Sequence, residues 1–377
     1  MRTVVERSRR SPGRRADVEM RYLVIQTRDI GDVMLSTALC NALNASHPDA
    51  RVDMLTMDHC RGVVDGNPNI DEVIVLVQAR RNNVLYMFNF LRRLRAKKYD
   101  VIVNVQGQLI GLMSCLCSLS SRRVGMDTFP WSLAHTDNVV FHSQPQASGE
   151  CDTIDDRFNL LVPLGIEIES RSYHLWLDDA EVQAGRELLE TAGVDMTRPI
   201  VALGVNSRDD YKQWPLEHFA RLASWLIDEF DAQIYVFFGP GEEQYSKRLK
   251  SLLPEDRHPS VFDDIRTRSI RELGTVFSHC TLYLGNDTGP RHVAQSLDLP
   301  AFAVVSPVSN KRGWVPWNNP RFRAVDSGDA MGMTYEEWDR ISYKLTPGVD
   351  DGEWFAKLTP EFVQTRLTEM IDELGLF

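Results

Sequence analysis

The chain has 377 residues, and Lys+Arg 42 against Asp+Glu 53 leave a formal charge of −11 at pH 7. Hydrophobic residues at 43% and charged residues at 25% are those of a folded globular protein, which excludes a fibrous or disordered chain, while the acidic balance argues against a dedicated nucleic-acid binder. The length predicts two domains, and no apolar stretch approaches the ~20 residues of a membrane span. Residues 1–19 hold six Arg among Ser, Pro and Gly with no apolar run, so a secretory signal is excluded and a disordered extension ahead of Met20 is expected. From Arg21 the chain alternates short β-branched runs with longer helical patterns. Strands are predicted at 22–27, 52–56, 73–77, 101–106 and 123–126, with helices at 33–46, 84–97 and 109–119 between them. After 152–164 and a strand at 173–177 comes a helix at 179–192. The rhythm then restarts with strands at 200–204, 233–239, 282–284 and 301–306 and helices at 216–229, 242–253, 270–279 and 290–297. A last helix at 360–374 has no strand after it. Strands separated by helices imply parallel sheets in two α/β halves that join near 195–199. The six Cys, at 40, 60, 115, 117, 151 and 280, form no CxxC pair and read as reduced thiols of a cytosolic protein, most of them core filler.

Absent motifs narrow the chemistry. Neither opening strand is followed by GxGxxG, which removes the main support for a nicotinamide or flavin cofactor, and there is no P-loop. No Asp-x-Asp pair, no His pair of zincin spacing and no GxSxG elbow occurs, so a metal-free site is expected. Open parallel sheets place ligands at the carboxyl ends of their strands, and four strand-to-helix loops there are chemically dense.

In Thr27-Arg28-Asp29-Ile30-Gly31-Asp32-Val33, Asp32 falls in a first helical turn. It is either a carboxylate placed there by the helix dipole or a base that arrives ionised. In Asn206-Ser207-Arg208-Asp209-Asp210-Tyr211-Lys212-Gln213-Trp214-Pro215, Lys212 precedes a helix start, as a solvated loop lysine or as a diphosphate clamp. Phe238-Gly239-Pro240-Gly241-Glu242-Glu243 offers close backbone approach and carboxylates, either dipole-matched or able to accept from a ribose diol. Gly285-Asn286-Asp287-Thr288-Gly289-Pro290-Arg291-His292 leaves amides free at a helix start, with Asp287 available for a sugar hydroxyl and His292 in the first turns.

These segments, DIGDVMLSTALCNAL, VNVQGQ, GVNSRDDYKQWPLEHFARLA, FFGPGEE and LGNDTGPRHVAQSLDLPAFAVVSP, together resemble the glycosyltransferase family 9 heptosyltransferases, which build the inner core of bacterial lipopolysaccharide from ADP-heptose. Lys-x-Trp-Pro and Asp-Thr-Gly-Pro-x-His are the most specific parts, and the resemblance runs from Arg21 to Pro307. It implies a GT-B fold: two Rossmann-like α/β domains with parallel sheets facing a central cleft. The expected division is a tail at 1–19, an acceptor domain at 20–195, a donor domain at 196–358 and a helix at 359–377 crossing back to the N-terminal domain. It further implies an inverting, metal-independent transfer without cofactor. The partners are then ADP-heptose and a saccharide or glycolipid acceptor, with no nucleic acid. The setting is cytoplasmic, with peripheral contact at the inner face of the inner membrane.

Residue by residue, the resemblance matches Asp32 to the proposed general base and Lys212 to the lysine that neutralises the donor phosphates. It matches Glu243 to the carboxylate near the ribose, with Glu242 one residue away. Asp287, Thr288 and Gly289 match the loop on donor sugar and phosphate, with His292 close by, and Ser207 the hydroxyl near the diphosphate. Residues 327–358 follow no family pattern. A GT-B epimerase, a transferase using another nucleotide sugar or a soluble acceptor, and a non-catalytic nucleotide-sugar binder stay open. Finally, Arg80, Arg81, Arg92, Arg93, Arg95, Lys97 and Lys98 place seven cations within nineteen residues. Leu91, Leu94 and Tyr99 interleave as an apolar face, so this helix packs with its basic side outward. That side is either solvated or, through Arg92 and Arg93, a surface for a phosphorylated or carboxylated acceptor.

Overall fold

The computed structural model describes residues 20–141 and 148–377; the tail expected at 1–19 lies outside them. The N-terminal half contains β1 Arg21–Ile25, α1 Ile30–Ser46, β2 Arg51–Met57, β3 Glu72–Leu76, α2 Val84–Ala96, β4 Val101–Asn104, α3 Leu109–Ser118, β5 Arg122–Met126, β6 Asp137–Val139 and α4 Asp152–Asn159. The C-terminal half contains α5 Asp179–Thr191, β7 Ile200–Gly204, α6 Leu216–Phe230, β8 Gln233–Val236, α7 Glu243–Leu252, β9 Val261–Phe262, α8 Ile270–Phe277, β10 Leu282–Asn286, α9 Gly289–Ser296, β11 Ala301–Val304, α10 Lys311–Trp314 and β12 Phe322–Val325. It closes with α11 Ser327–Ala330, α12 Tyr335–Ser342, α13 Asp351–Phe355 and α14 Pro360–Leu374.

The strands form two six-stranded sheets, β3-β2-β1-β4-β5-β6 and β12-β11-β10-β7-β8-β9, and every pairing within them is parallel. Both sheets share one topology, in which the strand order reverses between first and fourth strands. That reversal opens a crevice beside the loops after β1 and β4, and after β7 and β10. Central strands are buried on both faces, as Leu23, Val24 and Ile25 in β1 and Val201, Ala202 and Leu203 in β7 show, because helices cover each side. Helix α1 is buried around most of its circumference, from Gly31 to Leu43, since it lies between its own sheet and α9 of the other half.

Three expectations are corrected. Residues 173–177 alternate buried Tyr173 and Leu175 with exposed His174 and Trp176, yet they join neither sheet. Leu175 instead packs where a Cβ on Gly274 would sit, so the alternation reports a linker pressed on α8 and not a strand. The domain boundary precedes residue 195. Helix α5 packs on α8, with Gly185 against Thr275 and the His279 ring 2.8 Å from the Val182 carbonyl, and so belongs to the C-terminal half. Nor does α14 cross back. Its Val363, Leu367, Met370 and Ile371 enter the C-terminal core beside α6 and β12, and Glu361 and Glu373 pair with Arg221 and Arg323. Four of the cysteines, Cys40, Cys60, Cys115 and Cys151, are buried, and all six are free thiols.

Candidate active site

All four loops converge on a cleft of about 570 Å³ between the two halves. The N-terminal wall is the turn Arg28–Asp32. The C-terminal wall is built from residues 206–209 and Lys212 after β7, 237–240 and Glu242 after β8, and 287–290 and His292 around the start of α9. The start of α8, from Thr267 to Ile270, and Trp314 complete it. An exposed ion pair, Arg208 Nη1 to Asp29 Oδ1 at 3.2 Å, spans the two walls.

Asp32 is buried, and it is not a helix cap. Its Oδ1 accepts from Arg157 Nη2 at 2.6 Å and from Gln106 Nε2 at 3.2 Å, while Oδ2 lies 3.9 Å from Arg28 Nε at the cleft. Arg157 is itself fixed, donating from Nε to Ser36 Oγ at 3.0 Å and from Nη1 to the Thr153 carbonyl at 2.9 Å. Burial pulls the guanidinium's pKa down while the Asp32 charge opposes that pull. The pair leaves one carboxylate oxygen committed and the other facing the cleft. Sequence reasoning missed Arg157 and gave Gln106 no role: the arginine is 125 residues from its partner, in a short acidic helix without a motif.

On the opposite wall Lys212 Nζ contacts Asp209 Oδ2 at 2.9 Å. Burial is the largest influence and works against its ammonium, but the hydrogen bond and charge of Asp209 together with Tyr211 outweigh it and hold the lysine above its ordinary pKa; the bond to Lys212 holds Asp209 below the usual carboxylate range. The loop bearing Lys212 is anchored by buried Trp214. The Trp214 backbone N–H donates to Asn286 Oδ1 at 3.0 Å and its Nε1 to the Leu358 carbonyl at 3.0 Å, so the tryptophan of Lys-x-Trp-Pro is a structural peg for the lysine. Ser207 lines the cleft.

Asp287, Thr288 and Gly289 line the cleft at the start of α9, where the N–H groups of Thr288 and Gly289 have no helical acceptor. Asp287 is held by Arg291, whose Nη2 also donates to the Trp314 carbonyl at 2.7 Å. His292 is buried against the N-terminal wall: a Cβ on Gly31 would lie 2.7 Å from its Cδ2, so only glycine lets the two helix starts approach this closely. Burial first, then the charges of Arg291 and Arg157, holds the His292 pKa well below its ordinary value, and the ring is neutral. It packs between the halves with its Nε2 3.0 Å from Arg291 Nη2.

One expected residue is displaced. Glu242, not Glu243, lines the cleft, with Oε2 accepting from the Gly239 N–H at 2.8 Å and from Asn206 Nδ2 at 3.4 Å. Glu243 opens α7 and faces Arg266 at 3.6 Å. Arg92 and Arg93 are exposed on α2, whose Leu91 and Leu94 are buried as expected, but they are not among the residues lining the cleft. Residues 327–358 do not line it either; Trp338 and Trp354 pack edge to face on each other at 5.2 Å, and Phe355 and Leu358 fill the C-terminal core.

Residues 87–327 match the profile of glycosyltransferase family 9 (heptosyltransferase). Lipopolysaccharide heptosyltransferase 3 of Escherichia coli is 24% identical over 343 residues, which cover 88% of this chain and 96% of that protein. Among solved structures, the family 9 glycosyl transferase from Veillonella parvula superposes with a TM-score of 0.78 at 20% identity, covering 95% of this chain and 99% of that one. The E. coli heptosyltransferase WaaC with ADP-2-deoxy-2-fluoro heptose gives 0.64 at 18% identity, covering 93% and 99%. The fold shared with these proteins is GT-B.

Proposed function

The chain belongs to glycosyltransferase family 9, and from that premise we propose that it moves a heptose from ADP-heptose to a saccharide of the lipopolysaccharide inner core, with inversion and without a metal. One observation carries this reading: a carboxylate on the N-terminal wall, Asp32, faces a lysine and a helix start on the C-terminal wall, Lys212 and α9. Inverting displacement needs a base behind the acceptor hydroxyl and charge stabilisation behind the leaving diphosphate, on opposite sides of the anomeric carbon. Asp32 Oδ2 takes the hydroxyl proton as the acceptor oxygen bonds to that carbon, and the bond to the diphosphate oxygen breaks as ADP leaves. Lys212 and the N–H groups of Thr288 and Gly289 meet the charge that develops there. The complex of WaaC with a fluorinated ADP-heptose, on the same fold, supports the choice of donor. The names of the curated relatives support a lipopolysaccharide acceptor.

On this reading the nucleotide lies on the C-terminal wall. Lys212 and Ser207 take the diphosphate, Asp287 takes a heptose hydroxyl, and Glu242 takes the ribose diol in place of Glu243. Calorimetry with ADP and with adenosine separates these roles. Lys212→Ala weakens ADP binding about tenfold or more while adenosine binding is kept, since a cation–phosphate contact contributes about 1.5–3 kcal/mol. Glu242→Ala weakens both ligands, and Glu243→Ala weakens neither. Equal losses for ADP and adenosine in the lysine variant contradict the clamp, and a loss in Glu243→Ala with none in Glu242→Ala reverses the ribose assignment.

A further inference from the structure

Among the described residues, the N-terminal half carries an apolar rim beside the cleft that no other segment covers. Val84, Leu85 and Phe88 on α2, Leu109 on α3, and Phe129 and Leu133 around the helical turn Trp131–Ala134 are each between 61 and 83% exposed. All six follow the carboxyl ends of β3, β4 and β5, at the same sheet edge as the turn after β1 that holds Asp32. Helix α3 packs against both α2 and the 131–134 turn, so the three groups adjoin. The segment between β4 and α3 ties them to the site: Gln106 donates to Asp32, Gln108 accepts from Thr27 Oγ1 at 2.8 Å, and the next residue is exposed Leu109.

Cations flank the apolar residues. At helical spacing on α2, Leu85, Phe88, Arg92 and Arg95 fall in one exposed stripe, and no acid occurs from Gln78 to Lys98 in a chain of net charge −11. Exposed apolar side chains between arginines are the composition of an interfacial membrane helix, and the sign fits an anionic lipid surface. A polar partner protein would leave the leucines and phenylalanines unmatched.

We propose that this rim docks the enzyme on an anionic bilayer, with α2 and the start of α3 in the headgroup layer and the cleft mouth turned toward the surface. The inference rests on the glycolipid-acceptor reading for its purpose, but not for its observations. It places the base where a lipid-borne saccharide enters, and it gives Arg92 a part outside the cleft.

The test is sedimentation of the purified full chain with vesicles of three parts phosphatidylcholine to one part phosphatidylglycerol, with pure phosphatidylcholine beside them. Wild type sediments with the anionic vesicles, and binding falls about tenfold or more on pure phosphatidylcholine or in high salt, because exposed charges are screened beyond ~8 Å at physiological ionic strength. Leu85→Ser with Phe88→Ser, and separately Arg92→Glu with Arg95→Glu, each lower binding about tenfold while ADP affinity by calorimetry stays that of wild type. Phe88→Ser alone gives a smaller loss in the same direction, and serves if the double variant loses ADP affinity. Undiminished vesicle binding in the variants, or none in wild type, overturns the proposal. So does a wild-type dimer in analytical ultracentrifugation that Leu85→Ser with Phe88→Ser splits, since a second copy then covers the rim. Vesicle binding without heptose transfer refutes the proposed activity and leaves the docking surface; transfer to a delipidated acceptor without vesicle binding does the reverse.

Discussion

Asp32→Asn lowers turnover about 10³-fold and leaves ADP affinity within a factor of two, the range for removing a general base being about 10²–10⁴. Asparagine is isosteric with aspartate and keeps a carbonyl oxygen to accept from Arg157 and Gln106, which hold Oδ1 at 2.6 and 3.2 Å. The variant therefore loses the proton acceptor more than the packing. Because the nucleotide is assigned to the opposite wall, its affinity is insulated from this change. Turnover comes from ADP release under saturating donor and acceptor, and affinity from calorimetry. Turnover within tenfold of wild type makes the Asp32–Arg157 pair an architectural ion pair between α1 and α4 and removes the base.

Arg157 is the second residue with a large expected effect, and its two variants separate positioning from folding. Arg157→Met leaves the Asp32 carboxylate buried without its cation, and breaking a buried pair from one side costs about 3–5 kcal/mol. A marked fall in thermal midpoint follows. Arg157→Lys keeps the charge but cannot serve Asp32, Ser36 and the Thr153 carbonyl together, as the guanidinium does at 2.6, 3.0 and 2.9 Å. It keeps the fold and ADP affinity, with turnover down about 10–100-fold through loss of orientation. A lysine variant with wild-type turnover shows that Arg157 only supports the fold.

The four strand-to-helix loops were legible because parallel α/β sheets expose polar sequence at one edge, and the residues there had few other structural uses. Lys212 and Asp287 needed only that reasoning. Glu242 against Glu243 was not legible, because one residue decides the phase of a helix start. Gly241 at φ +84° turns the chain so that Glu243 begins α7 and Glu242 stays in the turn facing the cleft. Arg157 was illegible for a different reason: its partner is supplied by tertiary packing, and no spacing within Asp152–Asn159 announces it. The closing helix misled because its path comes from the family resemblance, while its own sequence reports only that a face is buried, not against what. Its apolar face meets α6 and β12 of its own half. The exposed rim was not legible: Leu91 and Leu94 mark the buried face of α2, while no motif sets exposed Leu85 and Phe88 apart from them.

One measurement bears most directly on the central claim: incubate the pure protein with ADP-heptose and a Kdo-terminated inner-core acceptor, and follow product and ADP together by NMR. One ADP forms per heptose transferred, and the new glycosidic linkage has the anomeric configuration opposite to that of the donor. A retained configuration contradicts the single displacement between Asp32 and Lys212. Turnover of a different nucleotide sugar with none of ADP-heptose contradicts the heptosyl assignment.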